Sequence, residues 1–157
     1  MKNELKQELT RRLCECNNGG LVLVMYDIYF GFSEDVKAAL ASNDRAALKK
    51  AVADVQAALD ELIGALDFKY PLAGQLYPLY SYCKRLFSTV LYSLDVSVVD
   101  EADVIMKKLR NSFETAAADD KSAPLMDNAQ KVYVGMTYGR GRLTESFIND
   151  DNRGFLA

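Results

Sequence analysis

The chain has 157 residues, half of them hydrophobic, with 19 basic against 22 acidic side chains, a formal net charge of −3 and no histidine. That length suits one domain over 1–157, able to bury roughly 70% of its unfolded-state surface, and the mild acidity speaks against nucleic acid and anionic membranes as partners. Without histidine there is no imidazole base, metal ligand or phosphorelay residue and no Glu-x-x-His di-iron bundle, while three cysteines supply neither a paired disulfide framework nor a four-thiolate zinc site.

There is also no Gly-rich phosphate loop and no isolated acid pair in an apolar setting, so the expectation is a noncatalytic protein with no cofactor and no metal. The N-terminus mixes both charges and lacks the basic start, apolar core and cleavage site of a signal peptide, which points to the cytoplasm.

Residues 4 to 16 set Leu5, Leu9 and Leu13 four apart between charges, a thin apolar stripe on a short first helix. Cys14 and Cys16, two apart, face nearly opposite sides of it and read as reduced thiols. The run from Asn17 to Gly20 breaks this helix, with Asn18 expected to cap the next. From Leu21 to Phe32 only Asp27 and Gly31 are neither apolar nor aromatic, and Val36 and Leu40 continue the pattern, so one helix is predicted from about 20 to 41. The apolar run from Leu21 to Phe32 is too short to span a bilayer, which needs about 20 apolar residues, so no membrane insertion is expected. Its surface is apolar on nearly every side: either it is a central helix buried all round, or one face is kept for a partner.

A break at Ser42–Asp44 offers Asn43 as the next cap, with Asp44 in the first turn. The third helix carries Leu48, Val52, Val55, Leu59, Leu62 and Leu66 in steps of 4, 3, 4, 3 and 4, a bundle seam. Tyr70 to Gly74 reads as a turn, and Pro78 as a first-turn proline of a fourth helix running to about Leu94. Its core stripe is Leu79, Cys83, Leu86, Val90 and Leu94, flanked by Tyr80, Phe87 and Leu91. Tyr77, Tyr82 and Tyr92 lie further round as surplus phenolic surface. Ser97, with Asp100 three residues on, is expected to cap a fifth helix whose stripe is Val98, Ala102, Ile105, Leu109, Phe113 and Ala116.

Long helices joined by short turns predict an all-α fold, an antiparallel up-down four-helix bundle with its core at about 20–118 and a short accessory N-terminal helix at about 4–16. The remainder, about 119–157, changes character. Val132, Val134, Met136 and Tyr138 alternate with other residues, and Gly139 and Gly141 mark a turn, so an extended C-terminal arm is predicted. Lys131, Arg140 and Arg142 add positive charge with no acid between them, and the arm is expected to lie over a groove between the second and fourth helices.

The order of motifs resembles the flagellin-specific export chaperones, the FliS family. Members open their second helix with Leu-Tyr-Asp or Leu-Tyr-Asn, here Met25, Tyr26 and Asp27 with Leu21 and Leu23 upstream. Their fourth helix opens with Leu-x-x-Leu-Tyr-x-Tyr, matched by Leu76, Leu79, Tyr80 and Tyr82, followed by Leu86. Their last helix carries Leu-Arg-x-x-aromatic, matched by Leu109, Arg110 and Phe113. The chain differs in having no tyrosine before Tyr26 and no Thr/Ser-Pro step before the second helix. The resemblance implies a cytoplasmic bundle that binds the disordered C-terminal segment of flagellin, prevents premature polymerisation and aids delivery to the flagellar type III export apparatus, with contacts to its components. The protein is expected to be a monomer or weak homodimer. The candidate partner-binding residues are Leu21, Met25, Tyr26, Tyr29, Phe30, Tyr77, Tyr80 and Tyr82, some of which must belong to the core. The competing reading is a self-associating helical bundle or adaptor without a flagellin client.

Overall fold

The computed structural model describes residues 3–125, and within them the chain forms five helices and no strand. They are α1 (Asn3–Glu15), α2 (Asn18–Ser42), α3 (Arg45–Gly64), α4 (Pro71–Ser93) and α5 (Val96–Ala118). In this helical bundle α2, α3, α4 and α5 touch in a closed ring, each against two neighbours, whereas α1 touches α2 alone. α2 is therefore the only described helix with three helical neighbours, which accounts for apolar residues on nearly all its sides. Val24, Tyr26, Tyr29, Val36 and Ala39 are buried, while Leu21, Val22, Met25 and Ile28 keep part of their surface.

The helix boundaries depart from the sequence expectations where two capping residues stand side by side. Asn17, not Asn18, caps α2, its side chain accepting from the Gly20 N–H at 2.9 Å. Asn43 does not start α3. It closes α2 in the left-handed region at φ 53°, which Asn tolerates better than most residues. Asp44 then caps α3, its Oδ1 accepting from the N–H groups of Ala46 and Ala47, each at 3.0 Å. At α5 the cap is Asp95, which accepts from the Ser97 N–H at 2.9 Å, so Ser97 lies inside the first turn. The proline at the start of α4 is Pro71, and Pro78 sits inside that helix.

The earlier start of α4 changes its buried face. Ala73, Leu76, Tyr80, Cys83, Phe87 and Val90 are buried, and the expected stripe residues Leu79 and Leu94 are on the surface. On α5 the fully buried residues are Val99, Ala102 and Met106. Val98, Ile105, Leu109 and Phe113 pack partly buried against the core, and Ala116 is exposed. α3 keeps its expected register, with Leu48, Val52, Val55, Leu59 and Leu62 buried and Leu66 partly so.

After α5, residues 119–125 turn back towards the α1–α2 junction, where the Leu125 N–H donates to the Cys16 carbonyl at 3.0 Å. The expected arm from Lys131 to Leu143 lies outside the described residues. α2 and α4 stand diagonally across the ring, and their residues meet along one opening only at the end of the bundle where α2 begins, among the described residues. Other grooves lie between pairs of helices in contact, α2 with α3, α4 with α5, α2 with α5 and α1 with α2.

Candidate functional site: an apolar belt at one end of the bundle

Small side chains keep the α2/α3 groove open. Ala58, Gly64 and Ala65 face Leu21, Met25 and Ile28 across a cavity of about 560 Å³. At the end of the bundle where α2 begins, a second opening of about 280 Å³ is lined by Val22, Met25, Leu66, Leu72, Leu76 and Phe113 among others, with Tyr80 in its wall. A third, of about 290 Å³ between α4 and α5, is lined by Leu72, Leu76, Leu79, Leu109 and Phe113 with Gln75, Ser112 and Ala116. The first two share Met25 and Ala65, and the last two share Leu72, Leu76 and Phe113. They form one continuous belt across two faces and the end between them.

Its exposed rim is aromatic. Phe68 is 63% exposed, Tyr70 67% and Leu72 53%, and the rings of Phe68 and Tyr77 meet edge-on with centroids 5.9 Å apart. The only charged residues lining the three openings are Glu61 and Asp67. A surface of this kind binds by removing apolar area from water, and fits the apolar side of an amphipathic segment rather than a small polar substrate.

The opposite side of α2 is of different chemistry. The grooves it forms with α5 and α1 are lined by Glu34, Lys37, Asp100, Asp103, Lys107 and Arg110, and by Arg12, Asp27 and Asp35. Most of these charges are engaged within the fold. Asp27 is held by Arg12 Nη1 from α1 and Arg110 Nε from α5, each at 2.7 Å. Asp103 accepts from Tyr29 Oη at 3.0 Å, Ser33 Oγ at 2.7 Å and Lys37 Nζ at 2.8 Å. Burial acts against the charged form of Lys37, yet its hydrogen bonds to Asp103 and Asp100 together raise its pKa above the usual lysine range.

The eight candidate residues do not form one surface. Leu21 and Met25 line the belt, Tyr80 forms part of its end wall, and Tyr77 stands on its rim. Tyr26 and Tyr29 are 0% exposed; Tyr26 backs the belt through Tyr80 and Phe113, whereas Tyr29 reaches the charged side at Asp103. The Tyr26 and Tyr80 hydroxyls are 2.6 Å apart, and the Tyr26 ring lies 5.7 Å from that of Phe113. The Tyr29 ring meets Phe30 at 5.1 Å and Phe87 at 5.9 Å. Phe30 lines the charged grooves instead. Tyr82 stands apart, donating to Glu101 Oε1 with the Arg85 guanidinium over its ring at 5.6 Å.

Sequence reasoning missed Leu72 and Leu76 as site residues because it began α4 too late. Read from Pro71, the spacing of Leu72, Leu76 and Leu79 places an apolar edge beside the buried one. Among the described residues no cluster of metal-ligating side chains occurs, and no helix is long and apolar enough to cross a membrane.

Among protein families, the one described as Flagellar protein FliS matches residues 1–120 of this chain. No curated protein matches it.

Proposed function

Because the chain belongs to the FliS family, a family of flagellar export chaperones, we propose that it binds the disordered C-terminal segment of flagellin along the apolar belt. Bound there, the segment is kept from premature polymerisation until it reaches the flagellar type III export apparatus, with whose components the complex then interacts. Acting before export, the chaperone works in the cytoplasm, and it is not an enzyme. The observation that carries this reading is the belt itself, three openings joined through shared residues with Glu61 and Asp67 as the only charges lining them. A disordered client gains its ordered form only on such a surface, at low affinity per unit area but over a long contact. In this reading Leu21, Met25 and Tyr77 meet the client together with Leu72 and Leu76, and Tyr26 and Tyr80 support them from the core.

The ring of neighbouring helices and the short turns between them support an antiparallel up-down four-helix bundle, a single domain with α1 as an accessory helix. The exposed rim of Phe68, Tyr70 and Leu72 also favours a second reading, association of two copies through the same end.

Titrating the protein with the C-terminal segment of flagellin from the same organism tests the first reading. Expected are binding at micromolar concentration or tighter, a gain in helix by circular dichroism and a negative heat-capacity change. Met25→Asp is expected to weaken binding by about 2 kcal/mol or more with its melting temperature little changed. Wild-type affinity in that variant removes the belt as the site. Light scattering that shows a tight, concentration-independent dimer with no flagellin binding favours the second reading.

A further inference from the structure

We propose that the strap formed by residues 119–125 latches the first turn of α2 in place, with Asp120 as the positioning residue for the belt's α2 edge. Left to its own sequence this turn forms poorly. It contains Gly19 and Gly20, and glycine is the poorest helix former after proline. It also holds no acid of its own to meet the positive end of the helix dipole. The missing acid comes from beyond α5. Asp120 Oδ2 accepts from the Gly19 N–H at 3.0 Å, next to the Gly20 N–H that Asn17 holds, while Asp120 Oδ1 accepts from the Ser122 N–H at 2.9 Å. The Asp120 carbonyl accepts from Asn17 Nδ2 at 3.2 Å, and the Leu125 N–H donates to the Cys16 carbonyl at 3.0 Å, so the strap grips the α1–α2 junction at several points.

Close approach is what calls for glycine here. A Cβ on Gly19 would lie 3.0 Å from Ala117 Cβ and 3.1 Å from Asp120 Oδ2, and one on Gly20 would lie 2.9 Å from Cys16 Cβ. Helix propensity is given up for contact between α2 and α5, and the strap's hydrogen bonds offset the loss. The contact matters to the belt, because Leu21 and Val22 follow the glycines directly and line its α2/α3 groove and its end opening. Ala117 stands one turn beyond Phe113 on α5, and Phe113 walls the end opening together with Val22. Holding Gly19 against Ala117 therefore sets how far apart these two walls stand. Without the strap the first turn frays and Leu21 and Val22 leave the belt, while the core from Val24 onward stays buried. That an unlatched belt binds flagellin less well rests on the chaperone reading; the latch itself does not.

The test compares Asp120→Ala with Asp120→Asn in the full chain, because the amide oxygen of Asn still accepts from the Gly19 N–H. Amide hydrogen exchange followed by NMR is expected to be about tenfold faster at Leu21 and Val22 in Asp120→Ala. The α3 amides at Val55 and Leu59 should be unchanged, and Asp120→Asn should recover most of the protection. Wild-type exchange at Leu21 and Val22 in Asp120→Ala, or faster exchange spread evenly over all the helices, overturns the latch. In a second arm, the C-terminal segment of flagellin is expected to bind Asp120→Ala about threefold to tenfold more weakly than wild type, and Asp120→Asn nearly as well as wild type. Unchanged affinity in Asp120→Ala alongside the faster exchange overturns the positioning role. If the wild-type chain binds no flagellin, the chaperone reading falls, and the exchange pattern still decides whether the strap latches α2.

Discussion

Asp103 on α5 organises three groups of α2, and its removal has a cost that a surface acid's does not. With 16% of its side chain accessible, it accepts from Tyr29, Ser33 and Lys37, and Ser33 is fully buried. Asp103→Ala leaves the two buried hydroxyls of Tyr29 and Ser33 without their acceptor, while Lys37 keeps Asp100, so a loss of about 2 to 3 kcal/mol in urea unfolding is expected. Asp100, 59% accessible and bonded to the same Lys37 at 2.9 Å, should cost less than about 1 kcal/mol when replaced by Ala. Equal losses in the two variants would show that the buried hydroxyls find other partners. The buried tyrosines and Cys83 also make a prediction about pH. Burial, reinforced by their neighbours, pushes the hydroxyls of Tyr26 and Tyr29 up from an ordinary 10.0, and pushes the Cys83 thiol from 9.0 up to about 12. The folded state holds these protons more tightly than the unfolded state, so the stabilisation is complete below about pH 9 and is lost as pH rises through 9 to 12. Urea midpoints should be level from pH 7 to 9 and fall progressively above it; a midpoint unchanged at pH 11 would contradict the linkage.

At the scale of the element, α4 carries a defect that its neighbours tolerate. Pro78 lies inside the helix and has no N–H to donate to the Gly74 carbonyl one turn back. A proline in a helix interior costs about 3 kcal/mol against alanine, and Pro78 is exposed, so its burial offsets little of that. Pro78→Ala is therefore expected to stabilise the protein by at least about 1 kcal/mol, read as a higher urea midpoint. Gly74→Ala should add roughly 0.5 to 1 kcal/mol, because a Cβ there meets nothing within 4 Å. A loss of stability in either variant would mean that α4 needs its irregularity. Both residues lie in the half of α4 that carries Leu72 and Leu76, so the two variants also test whether the belt's shape depends on this part of the helix.

For the whole molecule, the attachment of α1 is the weakest joint. α1 touches only α2, through buried Leu9 and Cys14 and the Arg12–Asp27 ion pair, while Leu5 and Leu13 stay exposed. Asp27→Asn removes the charge that both Arg12 and Arg110 hold. Hydrogen exchange on this variant is expected to show α1 amides opening close to the unfolded rate, with α2 to α5 still protected and global stability lower by about 1 to 3 kcal/mol. If α1 stays as protected as in the wild type, its apolar contacts alone hold it. The position of Asp27 also explains the spacing of the motifs. Tyr26 meets Tyr80 and Phe113, and Asp27 meets Arg110, so three short motifs far apart in sequence converge at one end of the core.

What the sequence by itself determined was local and periodic. Alternating steps of 3 and 4 in α3 oblige a buried stripe whatever packs on it, and the helical pattern of the described residues followed from spacing, while the three motifs were legible as a family resemblance. Adjacent capping candidates, Asn17 with Asn18 and Asn43 with Asp44, were decided only when a side chain found a particular N–H, a choice of less than one turn that composition does not contain. The division of the aromatic residues was likewise tertiary. Tyr26, Tyr29, Tyr77, Tyr80 and Tyr82 share one chemistry, and only the diagonal placement of α2 and α4 put three of them in the core, with Tyr80 also in the belt's wall, one on its rim and one on another face. A belt assembled from the edges of four helices exists in no single helix, so no stretch of sequence could display it before those helices met.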